Sequence, residues 1–194
     1  MLRADYADRM SQEPTETCPG CGAVLPLTTG PVHRYLGASA SCWERYATLT
    51  GVGEPAIFLD PFNGLLVDAY AAQHVGTPSD QSIQSVAVHL LTLYGVILEG
   101  VAPDQALWLR RRVLRPGIPE KHARFVGLTP PDFSLGPRII AIEAAEPLQM
   151  AAACRAYIQQ VWSAWSRTEH LPTLAHWYQA YVTAEKIGPE RSPA

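Results

Sequence analysis

The segment "TETCPGCGAVLP" places Cys18 and Cys21 on either side of Pro19 and Gly20. A C-x-x-C turn offers two thiolates from one tight loop whose backbone amides can also donate to the sulfurs, and zinc requires ligands that converge from the corners of a tetrahedron. Gly20 and Gly22 ease the turn. A redox pair would instead follow a strand and open a helix in an alternating β and α pattern. Here the pair runs into "GAVLPL", a strand-like stretch with an internal proline, so metal binding is the expected chemistry. Two thiolates do not close a site, and Cys42 is the natural third ligand. It is expected in the first turn of a helix, where the partial positive charge favours a thiolate. His33 and His74 compete for the fourth position. If "AVLPLTTGPVHRYLG" forms a hairpin turning near Thr29, His33 lies at its far end, several times the reach of a zinc bond from the knuckle. His74 is free of that constraint and is favoured, although the choice depends on the hairpin.

Other residues could carry chemistry. His89 sits in the most apolar stretch, "VAVHLLTLYGVIL", in line with Gln81, Ser85 and Thr92. A buried polar seam needs partners, and a hydrogen-bond network with Asp68 or Tyr70 is the simplest reading. The sharper one makes His89 a general base or a second metal ligand in a cleft. Cys154 falls on an apolar helical stripe, where a lone buried cysteine acts as a small hydrophobe. Trp162, Trp165 and Trp177 at helical spacing read as core packing. Arg110, Arg111 and Arg112 point about 100° apart around a helix, so they read as a solvated face with snorkelling stems rather than one basic patch.

The elements that must position these residues follow from caps, breakers and periodicity. Residues 1–17 are expected to be a flexible arm, and the knuckle and hairpin open a single domain over 18–185, with the metal segment at 18–42. "SASCWERYATLTG" reads as a short helix capped by Ser39 or Ser41 and ended by Gly51. "NGLLVDAYAAQHVG" reads as a second helix capped by Asn63, with Leu66, Tyr70 and His74 aligned at four-residue steps. A third, buried all round, spans roughly 80–99 and stops at Gly100, and a fourth begins at Pro103 and runs to about Leu114. Prolines and glycines across 115–137 argue for irregular chain, either a strap over the core or a lid over a groove. Helix five starts near Pro147 with Met150, Cys154, Ile158, Val161 and Trp165 on one face. Helix six starts near Pro172 and offers Leu174, Trp177, Tyr181 and Val182. Residues 186–194 are expected to be disordered. The fold class is therefore mainly α, a helical bundle with a small N-terminal zinc-knuckle hairpin.

With 194 residues, 47% of them apolar, the chain can build one sizeable core. A formal charge of -3 gives no general pull toward nucleic acid or an anionic membrane. The apolar stretch at 86–98 is too short to span a bilayer, and the N-terminus lacks the apolar core of an export signal. A cytoplasmic location follows, in which the cysteines are thiols rather than disulfides.

Taken together, "CPGCG", "HRYLGASASCW", "VDAYAAQHVG", "QSVAVHL" and "VWSAW" resemble an uncharacterised bacterial family of small proteins known as a domain of unknown function. The resemblance runs from about residue 18 to residue 177. Its pattern includes the matches of Cys18, Cys21, His33, Cys42, Asp68, His74 and His89, and it implies no activity. The chain departs from it at Val75, where the pattern has proline. Two functional expectations follow from the residues. The first is a structural Cys3His zinc site, Cys18, Cys21, Cys42 and His74, in a binding or regulatory module with a protein or small-molecule partner. The second is a metal-dependent, hydrolase-like enzyme with Asp68, His74 and His89 around an open ion.

Overall fold

The computed structural model describes residues 14–51, 55–114 and 125–183. The expected arm (apart from its last residues), the tail and the first part of the proline-rich segment lie outside the described residues. Two short strands, β1 (Thr15–Thr17) and β2 (Val24–Pro26), precede seven α-helices among the described residues. These are α1 (Ala40–Gly51), α2 (Leu66–Gln73), α3 (Asp80–Ile97), α4 (Ala106–Val113), α5 (Ile140–Glu143), α6 (Met150–Ser166) and α7 (Leu171–Tyr178). The chain is mainly α.

The hairpin is real but is not the one expected. β1 pairs antiparallel with β2, Thr15 facing Pro26 and Thr17 facing Val24, so the knuckle is the turn of the hairpin rather than its preface. Residues 15–17 therefore belong to the fold and not to the arm. No regular strand follows Pro26 up to α1, because Pro26 and Pro31 have no N–H to donate to a ladder. Instead the chain wanders and returns at Leu36, which forms an isolated antiparallel bridge with Val75.

The helices begin where local chemistry lets them. Ser39 Oγ accepts from Cys42 N at 3.3 Å, so Ser39 is the residue that caps α1. Asp60, not Asn63, caps the next segment by accepting from Phe62 N at 3.0 Å, and a 3-10 turn at Pro61–Leu65 leads into α2. Asn63 is wholly buried and serves packing, its amide donating to Ile57 O at 2.8 Å and Ala151 O at 3.0 Å. Ser79 and Ser82 form a reciprocal capping box at the start of α3. Gly100, with φ of 72°, follows its end. A 3-10 turn from Pro103 to Gln105 precedes α4, and α7 runs on into a π turn at Gln179–Thr183.

α3 is the central element, packed on α2, α4 and α7, while α6 closes over α2. Leu90, Leu91 and Leu93 are fully buried. Met150, Cys154, Ile158, Val161 and Trp165 form the buried face of α6, and Leu174, Trp177, Tyr178 and Val182 that of α7 and its continuation. The three tryptophans at 162, 165 and 177 are core residues, and Trp165 also ties α6 to α2 through Nε1–H donating to Ala72 O at 3.0 Å. Burial pushes the Cys154 thiol up to about 12, which keeps it inert. Residues 125–137 cross the surface as a strap, with Phe125 against the rings of Trp177 and Tyr181 and Phe133 buried. The short helix α5 has no counterpart in the sequence reading; its four residues are too few for a periodic signal. No helix among the described residues is long and apolar enough to cross a membrane.

Candidate metal centre

The hairpin turn is folded by two backbone bonds, Cys18 N to Ala23 O at 2.8 Å and Gly22 N to Cys18 O at 2.9 Å. Gly22 takes a positive φ of 66°, a conformation that costs other residues strain. This turn presents both of its sulfurs to the first turn of α1 and the residue that follows α2. The C-cap of α2 is His74, so its ring leaves the helix just where the chain turns toward Val75. The ligand atoms of Cys18, Cys21, Cys42 and His74 all lie within 4.8 Å of one another, and all four residues are buried. Cys21 Sγ is 3.9 Å from Cys42 Sγ, and Cys42 Sγ is 3.4 Å from His74 Nε2.

The His74 tautomer is set by its surroundings. Nδ1 lies 2.9 Å from the Tyr70 carbonyl oxygen, which can only accept, so Nδ1 carries the proton and Nε2 turns its lone pair to the sulfurs. The same Tyr70 donates its hydroxyl to Cys42 Sγ at 3.5 Å and stacks on the His74 ring at 4.0 Å between centroids. Tyr46 stacks on Tyr70 in turn, again at 4.0 Å. The ligand ring is therefore clamped by an aromatic column running back to α1.

Glycines bring the backbones together. A Cβ on Gly20 would meet His74 Cδ2 at 2.5 Å, and one on Gly37 would meet Val75 O at 2.5 Å. Gly76 is as tight against Tyr35 O, at 2.5 Å. Gly37 N donates to His74 O at 2.9 Å, which completes a seam between residues 35–37 and 74–76 beside the bridge at Leu36 and Val75.

The electrostatics mark the four groups as a set. Hydrogen bonds from Cys21 and then Cys42 drive the Cys18 thiol far below its ordinary range, while the Cys18 and Cys21 sulfurs and burial hold the Cys42 thiol far above it. Burial pulls the His74 imidazole down, but the Cys18 and Cys21 sulfurs outweigh it and raise the group to about 9. Three sulfurs and an imidazole in one dry pocket thus compete for protons. A divalent cation ends the competition by letting every thiol ionise, so the donor set can hold a metal ion.

The other sequence candidates lie elsewhere. His33 is exposed, its Nδ1 accepting from Tyr35 N at 3.3 Å and its ring 5.3 Å from that of Trp43. The reason given for discounting it fails, since the hairpin it was assigned to does not form. Asp68 is fully buried on α2 and meets His89, whose Nδ1 is 2.8 Å from Asp68 Oδ1. Arg110 joins them, Nε donating to Oδ1 at 2.9 Å and Nη2 to Oδ2 and, at 3.2 Å, to Gly64 O. Arg110 is therefore an ion-pair partner and not part of a solvated face, a role that its arginine-rich surroundings concealed. Asp68, His74 and His89 do not gather around one ion: His74 is committed to the sulfurs and His89 to Asp68.

A model of a family of unknown function, DUF5946, matches residues 16–166. No curated protein matches the chain, and no solved structure does.

Proposed function

We propose a structural zinc centre as the organising feature of this chain, which belongs to DUF5946, a family of unknown function. The observation that carries the reading is the closed donor set of Cys18, Cys21, Cys42 and His74, with no more than 1% of any of these residues exposed. Zinc holds sulfur at about 2.3 Å and imidazole nitrogen at about 2.0–2.1 Å, so its tetrahedron has sulfur–sulfur edges of about 3.8 Å and sulfur–nitrogen edges of about 3.6 Å. The separations of 3.9 Å and 3.4 Å fit those edges. Thiolate and imidazole ligands in this ratio suit zinc better than the oxygen-seeking magnesium or calcium.

Four protein ligands leave zinc no position for water or substrate, so the centre stabilises the fold and does not catalyse. It fastens the β1–β2 hairpin to the start of α1 and the end of α2. We read the resulting domain as a binding or regulatory module of a reducing compartment such as the cytoplasm, a reading supported by ligands that must stay thiolates rather than pair as disulfides. The test is metal content with ligand spectroscopy. One zinc per chain, with three sulfurs and one nitrogen in its first shell, is the expected result; an ion bearing a water ligand would overturn it.

A further inference from the structure

Arg45 on α1 and Arg138 just before α5 line the same open groove, whose volume is about 690 Å³. Its wall is mostly apolar, with Leu25 of β2, Ile140 and Ala144, and its charged groups are the two arginines and Glu143. Each guanidinium is held in place by bonds that leave part of it unused. Arg45 Nη1 donates to Glu143 Oε2 at 2.5 Å, and Arg138 Nη2 donates to Ser134 O at 3.0 Å and to Gly22 O at 3.4 Å. The Nε of both arginines is buried and, among the described residues, has no hydrogen-bond partner.

A buried N–H without an acceptor is uncommon because it forfeits its bond to water and gains none in return. Two of them on arginines that share one groove point to a missing acceptor that both can reach. Charge points the same way: Glu143 offsets one guanidinium, and the other leaves the groove net positive on a chain whose formal charge is -3. Glu16, opposite Leu25 in the hairpin, also keeps a buried Oε1 without a partner, but it is not part of the wall, and among the described residues no ion pair joins it to either arginine. We propose that the groove binds a small carboxylate with an apolar body, the two oxygens shared between Arg45 and Arg138 and the carbon chain laid against Leu25 and Ile140. One net positive charge matches a monoanion, the volume falls within the range of about 300–1,000 Å³ typical of small-molecule sites, and a guanidinium donates to carboxylate oxygens without first taking up a proton. None of the lining residues is a metal donor, so failure of this site and failure of the metal centre are read separately.

The experiment titrates the full, metal-loaded chain with hexanoate, and separately with acetate and hexylammonium, at ionic strength held constant with chloride. The Nε–H groups of Arg45 and Arg138 are followed by nitrogen-15 NMR, with Arg155, which is ion-paired to Asp60, as the internal control. The expected result is a saturable shift of both reporters with hexanoate, one dissociation constant describing both, and Arg155 unmoved. Acetate, which lacks the apolar body, should bind about tenfold more weakly, and hexylammonium should not bind. Arg45→Gln read at Arg138, and Arg138→Gln read at Arg45, should each weaken hexanoate binding about tenfold or more. Linear, unsaturated shifts with hexanoate, acetate binding as tightly as hexanoate, or unchanged affinity in Arg45→Gln would each overturn the proposal. Should Arg138→Gln disturb the hairpin through Gly22, the Arg45→Gln and wild-type titrations still decide.

Discussion

At the residue scale, the centre rests on His74 and on the residue four places before it. Tyr70 fixes the imidazole proton with its backbone carbonyl, donates its hydroxyl to Cys42 and stacks on the ring, so one residue supplies three supports to two ligands. The four-residue spacing of Tyr70 and His74 was visible in the sequence, but its use was not, because backbone acceptance leaves no trace in residue type. Cys21→Ser removes a buried ligand. It should release the metal and lower the thermal midpoint by about 10 °C or more, since several kcal/mol of metal-linked stability vanish at about 2–4 °C per kcal/mol. Unchanged metal content and midpoint would refute it. Arg110→Ala should be costly for a different reason: it strands the buried Asp68 carboxylate with His89 alone, a loss of about 3 kcal/mol in denaturant unfolding. A change below about 0.5 kcal/mol would mean that Asp68 is satisfied without it. Spacing alone singled out Cys18 and Cys21, and a helix start singled out Cys42. Arg110 was not legible, because three adjacent arginines look alike until a fold buries an acid beside one of them.

At the element scale, the lesson is in the hairpin. A turn near Thr29 between two short extended runs pointed to a hairpin over 23–37, yet the partner of β2 lies before the knuckle, at Thr15–Thr17. Pairing partners are a tertiary choice, and the prolines that cost the later segment its ladder were present in the sequence. Helix α1, by contrast, could be read almost to the residue from Ser39 and Gly51, because caps are local chemistry. The same holds for α6, whose apolar stripe has the right period over 17 residues. What no pattern showed is the glycine seam that sets α2 against the loop before α1. Gly37→Ala would drive a Cβ into Val75 O, now 2.5 Å from its ideal position. We expect a loss of about 1–3 kcal/mol in denaturant unfolding together with weaker metal retention in a chelator competition, because His74 belongs to the same seam. A neutral substitution would show that the two backbones can part without cost.

At the scale of the whole molecule, one buried core runs through the helices and takes in Ala23 and Leu25 of the N-terminal segment, and the proposed metal centre would be the second hold on that segment. β1 and β2 make a two-strand hairpin, which is marginal in water without outside support. Its anchors are Cys18 and Cys21, the hydrogen bond that Arg138 Nη2 donates to Gly22 O at 3.4 Å, and packing of Leu25 into the core. Stripping the metal with a strong chelator should therefore raise hydrogen exchange first over residues 15–37 and at the end of α2, while α3 and α6 stay protected. Uniform loss of protection across the chain would instead make the metal a condition for folding at all. A mainly helical bundle was legible from composition, caps and period. How the N-terminus is held was legible only in part, because ligand convergence joins positions as distant as Cys18 and His74 that no local signal links.

The central claim is that Cys18, Cys21, Cys42 and His74 close around a single zinc ion. X-ray absorption at the zinc edge, combined with elemental analysis of the purified full chain, tests it most directly. The account predicts one zinc per chain, with three sulfurs at about 2.3 Å and one nitrogen at about 2.0 Å. A chain without stoichiometric metal, or a first shell that includes oxygen, would contradict it.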